Sequence, residues 1–268
     1  MRIDIITLFP GMVEPFVSQS MLGRARARGL VDIRAVDLRD YAAGRHRVAD
    51  DAPFGGGGGM VLKPEPLFAA VEALRTPATR VILTDPRGRA FTQEVAGELA
   101  RGRHLILLAG RYEGVDERVR ERLADDTISI GDYVLTGGEL PALVIADAVA
   151  RLVPGVLGGE GAAEQESFVS GLLEPPQYTR PEEFHGGRVP GVLLSGDHAR
   201  IARWRRVQAL WQTWKTRPDL LARATLSADE RRLVERFERG ETPANVGAAE
   251  ALGPRDKGDD GHGCDSAG

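Results

Sequence analysis

Short apolar runs rich in β-branched residues alternate with helical segments in the first half of the chain. Runs of this length that are interrupted by Gly and Pro are typical of the buried strands of a parallel sheet. We predict five such strands: Ile3–Phe9, Val31–Leu38, Val81–Thr84, His104–Ala109 and Ile128–Leu135. Helical segments lie between them at Pro66–Leu74 and Gln93–Arg101. This alternation predicts an α/β fold with a mostly parallel sheet.

The pattern changes after an apolar helix that we predict over Leu140–Val153. Small and polar residues then follow, and four prolines punctuate an irregular stretch, which is typical of a linker. The pattern is helical again from His198 to about Arg239, and Gly, Asp and Ala dominate from Gly240 onward. The predicted organisation is a sheet-containing domain at 1–158, a linker at 159–174, a smaller helical domain at 175–240 and a disordered tail at 241–268.

The composition is that of a soluble globular protein, with 42% hydrophobic and 28% charged residues among 268. No apolar run approaches the roughly 20 residues that cross a bilayer, so we expect no membrane span. The first ten residues resemble a buried strand and not a signal peptide. The single cysteine, Cys264, excludes a disulfide framework, and we therefore expect a cytoplasmic protein. The net charge of -4 does not exclude nucleic-acid binding, because a local basic patch is enough to contact the phosphates.

Three loops follow predicted strands and carry most of the candidate chemistry: Asp85–Gly88, Gly110–Asp116 and Ile130–Pro141. Ligands of α/β sheets bind at the carboxyl ends of strands. Taken alone, each such loop is more often an ordinary turn than a binding site. Three loops at equivalent positions after strands, however, indicate a cofactor pocket. Five consecutive glycines, Gly55–Gly59, are either a flexible loop or a loop that approaches a substrate closely. They do not match a dinucleotide fingerprint, since no strand ends directly before them.

The predicted helical domain contains a basic segment with no acidic residue between His198 and Arg217. Its apolar residues recur at helical spacing and fit an amphipathic helix with a solvated basic face. The absence of acids favours a second interpretation, contact with RNA phosphates. The cations are Arg200, Arg203, Arg205, Arg206, Lys215 and Arg217. The five histidines are scattered, and no Cys/His spacing predicts a metal site.

Six separated segments resemble, in order and spacing, the motifs of the bacterial tRNA (guanine-N1)-methyltransferases of the SPOUT superfamily. They are Asp50–Met60, Gly110–Arg118, Ile130–Pro141, Gly155–Gly158, Ser167–Pro181 and Leu193–His198. The resemblance runs from Met1 to about Phe237. It implies a SPOUT-type sheet with a trefoil knot, which general folding rules would not predict, and a C-terminal domain that binds tRNA. It also implies a homodimer that transfers a methyl group from S-adenosylmethionine to N1 of guanine 37, next to the anticodon.

The resemblance further assigns site residues. It implies a cofactor pocket formed by Thr84, Asp85, Pro86, Gly110, Arg111, Tyr112, Glu113, Ile130, Gly131, Tyr133, Leu135, Gly137, Gly138 and Pro141. It also implies that Arg151 supports the target guanine and that Glu166 is the catalytic carboxylate. It suggests that Glu113 helps either to place a Mg²⁺ ion or to orient the methionine group. Three positions depart from the family: Glu166 replaces a usual aspartate, Phe54 a usual tyrosine and Gly58 a usual proline.

The chemistry of the implied reaction fits these two side chains. Guanine N1 carries a proton, so a general base must remove it, and a cation should stabilise the charge that develops on O6. Glu166 is the candidate base and Arg151 the candidate O6 partner, with neighbouring Glu164 as an alternative base. Without the resemblance, Arg151 and Glu166 would be interpreted as a surface ion pair.

Two other functions remain open at this stage. A related SPOUT enzyme could methylate a ribose hydroxyl or a ribosomal base, although Arg151 and Glu166 favour base deprotonation. A non-catalytic RNA-binding module with a vestigial pocket is the second alternative. The intact loops Gly110–Glu113 and Gly137–Gly138 argue against the loss of a functional pocket.

Overall fold

The computed structural model describes residues 1–158, 166–169 and 171–245. The chain divides into two units, Met1–Ala163 and Glu164–Gly268. Half of the predicted linker at 159–174 and most of the predicted tail at 241–268 lie outside the described residues. The proposed domain boundaries therefore stay predictions.

The first unit is an α/β structure around a parallel sheet. Its elements are β1 (Arg2–Thr7), α1 (Pro10–Val17), α2 (Ser20–Ala27), β2 (Asp32–Asp37), a 3-10 turn (Leu38–Tyr41), β3 (Asp50–Asp51), β4 (Val61–Leu62), α3 (Pro64–Leu74), β5 (Thr79–Ala90), α4 (Gln93–Ala100), β6 (His104–Ala109), α5 (Glu117–Arg122), β7 (Asp126–Ser129) and α6 (Glu139–Ala150). The five-stranded sheet has the order β2-β1-β6-β5-β7, and every ladder in it is parallel. All five strands therefore end at the same edge.

Apolar side chains cover both faces of this sheet. Along β6 every residue is buried, and alternate residues belong to different core clusters, Leu105 and Leu107 to one and Ile106 and Leu108 to the other. Successive side chains of a strand point to opposite faces, so the two clusters lie on opposite sides. Such two-sided burial is what a nearly continuous apolar run in a parallel strand predicts.

Two features of the sheet differ from the expected strands. In β5, Thr84 and Arg89 both lie opposite Ile128, so the intervening residues project as a loop. The predicted strand Ile128–Leu135 is wrong from Ile130 onward, because β7 runs from Asp126 to Ser129. Gly131 follows with a φ of 148°, a conformation that favours glycine and turns the chain away from the sheet.

The second unit is mainly helical. Its elements are β8 (Glu183–Phe184), β9 (Gly187–Arg188), α7 (Gly191–Leu194), α8 (His198–Thr216), α9 (Pro218–Leu221) and α10 (Ala228–Glu238). Leu172, Val207, Leu210 and Phe237 form its core. The β8–β9 hairpin was not predicted, because strands of two residues leave no periodic pattern. None of the described helices is long and apolar enough to cross a membrane.

Candidate cofactor site and its family

A cavity of about 1220 Å³ opens at the edge where the strands end. It is lined by the loop inside β5, the segment after β6 and the segment after β7, together with residues on both sides of the glycine run. All fourteen predicted cofactor residues are among its lining residues: Thr84, Asp85, Pro86, Gly110, Arg111, Tyr112, Glu113, Ile130, Gly131, Tyr133, Leu135, Gly137, Gly138 and Pro141. The fold thus brings together loops that are far apart in the sequence.

Two of these loops meet backbone to backbone. The Gly138 N–H donates to the Gly110 carbonyl over 2.7 Å, and Arg111 forms an isolated bridge with Gly137. A Cβ on Gly138 would lie 2.4 Å from Thr84 Oγ1 and 2.7 Å from Gly110 N. These separations are too short for a side chain, so the close approach requires glycine.

The segment after β6 is held in an uncommon conformation. Tyr112 has a φ of 59°, which is rare for a residue with a side chain and is often associated with functional sites. The Leu62 N–H donates to the Gly114 carbonyl at 3.0 Å, and the Glu113 N–H donates to the Met60 carbonyl at 3.0 Å. These bonds attach the segment to the end of the glycine run. A Cβ on Gly59 would lie 2.4 Å from Glu113 Oε1, so the end of the run approaches a cavity residue closely. That the run approaches a substrate stays a prediction.

A buried carboxylate that was not predicted lies at the start of α6. Glu139 is 1% exposed, and its Oε2 lies 2.9 Å from Nε of Arg111. The Thr7 hydroxyl at the end of β1 donates to Glu139 Oε1 over 2.7 Å. An isolated acid at the start of an apolar helix was the only signal in the sequence.

An ion pair lies at the loop inside β5. Arg87 Nη2 lies 2.9 Å from Asp85 Oδ2, and this hydrogen-bonded guanidinium holds the pKa of the Asp85 carboxyl below its usual value. Glu117 also accepts a hydrogen bond from Arg87 at 3.0 Å. Asp85 therefore places a negative charge at the cavity at neutral pH.

The chain matches the family model described as tRNA (Guanine-1)-methyltransferase TrmD over residues 1–223. It belongs to this family. It is 58% identical over 245 residues to the tRNA (guanine-N(1)-)-methyltransferase of Geobacter sulfurreducens, which covers 91% of this chain and 100% of the relative. The proteins of the same name from Moorella thermoacetica and Geobacillus kaustophilus are 57% and 53% identical, covering 90% and 89% of this chain and 98% and 99% of the relatives. The α/β SPOUT class is thus confirmed, and the trefoil knot stays a prediction.

The two catalytic residues implied by the resemblance belong to different units. Arg151 directly follows α6 in the first unit, whereas Glu166 belongs to the second. Glu164, the alternative base, lies outside the described residues. The catalytic assignment of Arg151 and Glu166 therefore stays a prediction.

The basic segment forms α8, and its cations are not equivalent. Arg206 Nε lies 2.6 Å from Glu230 Oε1 on α10, so this guanidinium connects two helices. Arg217 is paired with Asp219 at 2.7 Å. Arg205 is exposed. Among the described residues, no group of three or more His, Cys, Asp or Glu side chains could hold a metal ion.

Proposed function

We propose that this chain binds S-adenosylmethionine in the cavity at the carboxyl edge of its sheet. As a member of its family, it is a tRNA (guanine-N1)-methyltransferase, which methylates N1 of guanine 37 beside the anticodon. The observation that carries the proposal is that the fourteen residues assigned from the sequence all line one cavity. Bound there, S-adenosylmethionine supplies a methyl group that its positively charged sulfur has already activated.

The cavity fits such a ligand in size and in surface. Its volume of about 1220 Å³ exceeds the roughly 300–1000 Å³ of usual small-molecule sites, so the cavity has room for the cofactor and for part of a second substrate. Tyr133 and Leu135 expose 55% and 38% of their surface, which offers apolar contact to a purine ring. The paired loops at Gly110 and Gly138 offer backbone groups at close range.

We assign proton removal to Glu166 and charge stabilisation to Arg151. The Glu166 carboxylate would accept the proton from guanine N1, which is a poor nucleophile while protonated. The Arg151 guanidinium would donate to O6, where negative charge develops as N1 loses its proton. A carboxylate is a weak base, so its effect depends on positioning.

We further propose a homodimer in which the cavity of one chain works with tRNA-binding groups of the other. An apolar face in the first unit supports this assembly. Met12 and Phe16 on α1 are 43% and 48% exposed, and Leu140 and Val144 on α6 are 52% and 45% exposed. Each pair is spaced four residues apart, which places its members on one helix face. Clustered apolar exposure of this kind marks protein interfaces.

The RNA partner is expected on the second unit. Exposed cations of α8, such as Arg205, would meet phosphates of the tRNA. A Mg²⁺ ion held through water and substrate oxygens would need few protein ligands, and Glu113 is its candidate neighbour. An enzyme that modifies tRNA is expected in the cytoplasm.

A methylation assay tests the function directly. The protein is incubated with methyl-labelled S-adenosylmethionine and an unmodified tRNA transcript, and the product nucleosides are separated. We expect labelled N1-methylguanosine, and no label in a matched transcript that has adenine at position 37. Label in a ribose or in another base would favour the related SPOUT enzyme. Cofactor binding without transfer would favour the RNA-binding module.

A further inference from the structure

A buried ion pair lies directly behind the wall of the cofactor cavity, and the mechanism above does not use it. Glu139 is 1% exposed and occupies the first position of α6, directly after the loop that contains Gly137 and Gly138. A buried carboxylate is costly unless charged and hydrogen-bonding partners satisfy it. Its partners come from two distant parts of the chain, Thr7 and Arg111.

The Arg111 guanidinium contacts groups on several elements. Its Nε lies 2.9 Å and 3.1 Å from the two oxygens of Glu139. Its Nη1 donates to the Thr136 carbonyl at 3.1 Å, and its Cζ lies 4.6 Å from the centre of the Phe9 ring. The side chain is only 14% exposed. The guanidinium is therefore engaged by protein groups, and the resemblance alone did not reveal this.

Thr7 completes the network from β1. Its hydroxyl donates to Glu139 Oε1 at 2.7 Å and accepts the Phe9 N–H at 2.9 Å. Both Thr7 and Glu139 are buried. The carboxylate thus links the end of a central strand, the loop after β6 and the start of α6.

The network lies close to the cavity surface. A Cβ on Gly137 would be 2.4 Å from Arg111 Nε and 2.6 Å from Glu139 Oε2. The same loop carries the Gly138 N–H, which donates to Gly110 at 2.7 Å. A small shift of Glu139 would therefore move both walls of the cavity.

We propose that Glu139 is a positioning residue that, with Arg111 and Thr7, holds the two glycine-containing loops at the separation that S-adenosylmethionine binding requires. This inference rests on the proposed function of the cavity. A structural ion pair alone would affect stability, whereas a positioning residue also affects cofactor affinity. The two roles are therefore separable by experiment.

The test compares Glu139→Gln with a matched buried pair at the opposite edge of the sheet. Asp4 is 0% exposed, and its Oδ2 lies 2.8 Å from Arg2 Nε and 2.7 Å from His104 Nε2, so Asp4→Asn also removes a buried carboxylate from its ion pair with an arginine. Glu139→Gln keeps the side-chain length but places an amide donor among the donors of Thr7 and Arg111. Calorimetry with S-adenosylhomocysteine, the demethylated product, measures Kd without tRNA or turnover, and thermal unfolding measures Tm.

We expect Glu139→Gln to raise Kd about 10- to 100-fold, the size of effect seen when residues that orient the ligands of a metal site are replaced. Asp4→Asn should lower Tm and leave Kd close to the wild-type value. In steady-state methylation, Glu139→Gln should raise KM for S-adenosylmethionine more than it lowers kcat. Thr7→Val should weaken binding, and Thr7→Ser, which keeps the hydroxyl, should restore it.

A wild-type Kd in both Glu139→Gln and Thr7→Val, together with a lowered Tm, would overturn the proposal. If Glu139→Gln does not fold, the Kd values of Thr7→Val and Thr7→Ser decide between the positioning role and a purely structural one. Failure of the wild-type protein itself to bind S-adenosylhomocysteine would instead refute the proposed function of the cavity, and the positioning role with it.

Discussion

Replacing Gly138 by Ala adds one methyl group where two loops of the cavity meet. The backbone of Gly138 has φ -83° and ψ -2°, which any residue adopts, so the substitution acts through space alone. The new Cβ would lie 2.7 Å from Gly110 N and 2.8 Å from Ala109 Cα. Both are backbone atoms, and a side-chain rotation cannot relieve the overlap.

The size of the effect follows from these distances. Atoms in ordinary contact are at least about 3.5 Å apart, so the loops must separate by roughly 0.7 Å. The Gly138 N–H to Gly110 hydrogen bond of 2.7 Å would lengthen to about 3.4 Å, beyond the usual range. Overpacking of this kind costs about 1–3 kcal/mol. If the cofactor-bound form bears that cost, Kd rises about 5- to 150-fold.

Calorimetry with S-adenosylhomocysteine measures this change, and Gly97→Ala is the matched control. Gly97 lies within α4, and a Cβ there meets nothing within 4 Å. Alanine in a helix is more favourable than glycine by about 1 kcal/mol, so Gly97→Ala should raise the free energy of unfolding and leave Kd unchanged. Equal Kd values for Gly138→Ala and wild type would refute the steric reasoning.

Three further outcomes are expected. Arg205→Ala should weaken tRNA binding and reduce its logarithmic salt slope by roughly 0.7–0.9, whereas Arg206→Ala, which loses a pairing with α10, should mainly lower stability; equal salt slopes would contradict this difference. Asp85 has a lowered pKa in the folded state, so its contribution to stability is present above its unfolded pKa of about 3.8 and is lost as pH falls through the folded value. The difference in unfolding free energy between wild type and Arg87→Met should therefore shrink in acid, and a difference that grows there would be inconsistent with the pairing. Glu166→Gln should lower the single-turnover methylation rate about 10²- to 10⁴-fold with binding intact, and near-normal chemistry would exclude it as the base.

The strands were predictable from the sequence where burial alone determines the pattern. β6 was predicted at its observed limits, His104–Ala109, because all six residues are buried between polar and glycine neighbours. The prediction over Ile128–Leu135 was wrong from Ile130 onward, where apolar residues are exposed and not buried. Val134 and Leu135 are apolar but 87% and 38% exposed at the cavity. An apolar lining of a binding site looks like a buried strand when only hydrophobicity is considered.

The sequence predicted that the fourteen residues lie together, and they line one cavity, but it did not predict their individual contacts. The motif segments identified the loops, because loops after parallel strands converge at one edge. The pattern did not separate side chains that face the cavity from those that hold its walls. Arg111 was assigned to the cofactor, yet its guanidinium is engaged by Glu139 and by the carbonyl of Thr136.

The individual roles could not be predicted because the supporting contacts join residues that are far apart along the chain. Glu139 lies two residues from Gly137, so a motif treats them as one unit. Its hydrogen-bond partner Thr7 is 132 positions away, on a strand whose local pattern indicates only burial. A buried threonine at the end of a strand has no distinctive signature, and its importance depends on the carboxylate that the fold places beside it. Loop motifs therefore locate a candidate cofactor site, whereas the residues that we propose to set the spacing of its walls emerge only from the three-dimensional contacts between strand ends and helix starts.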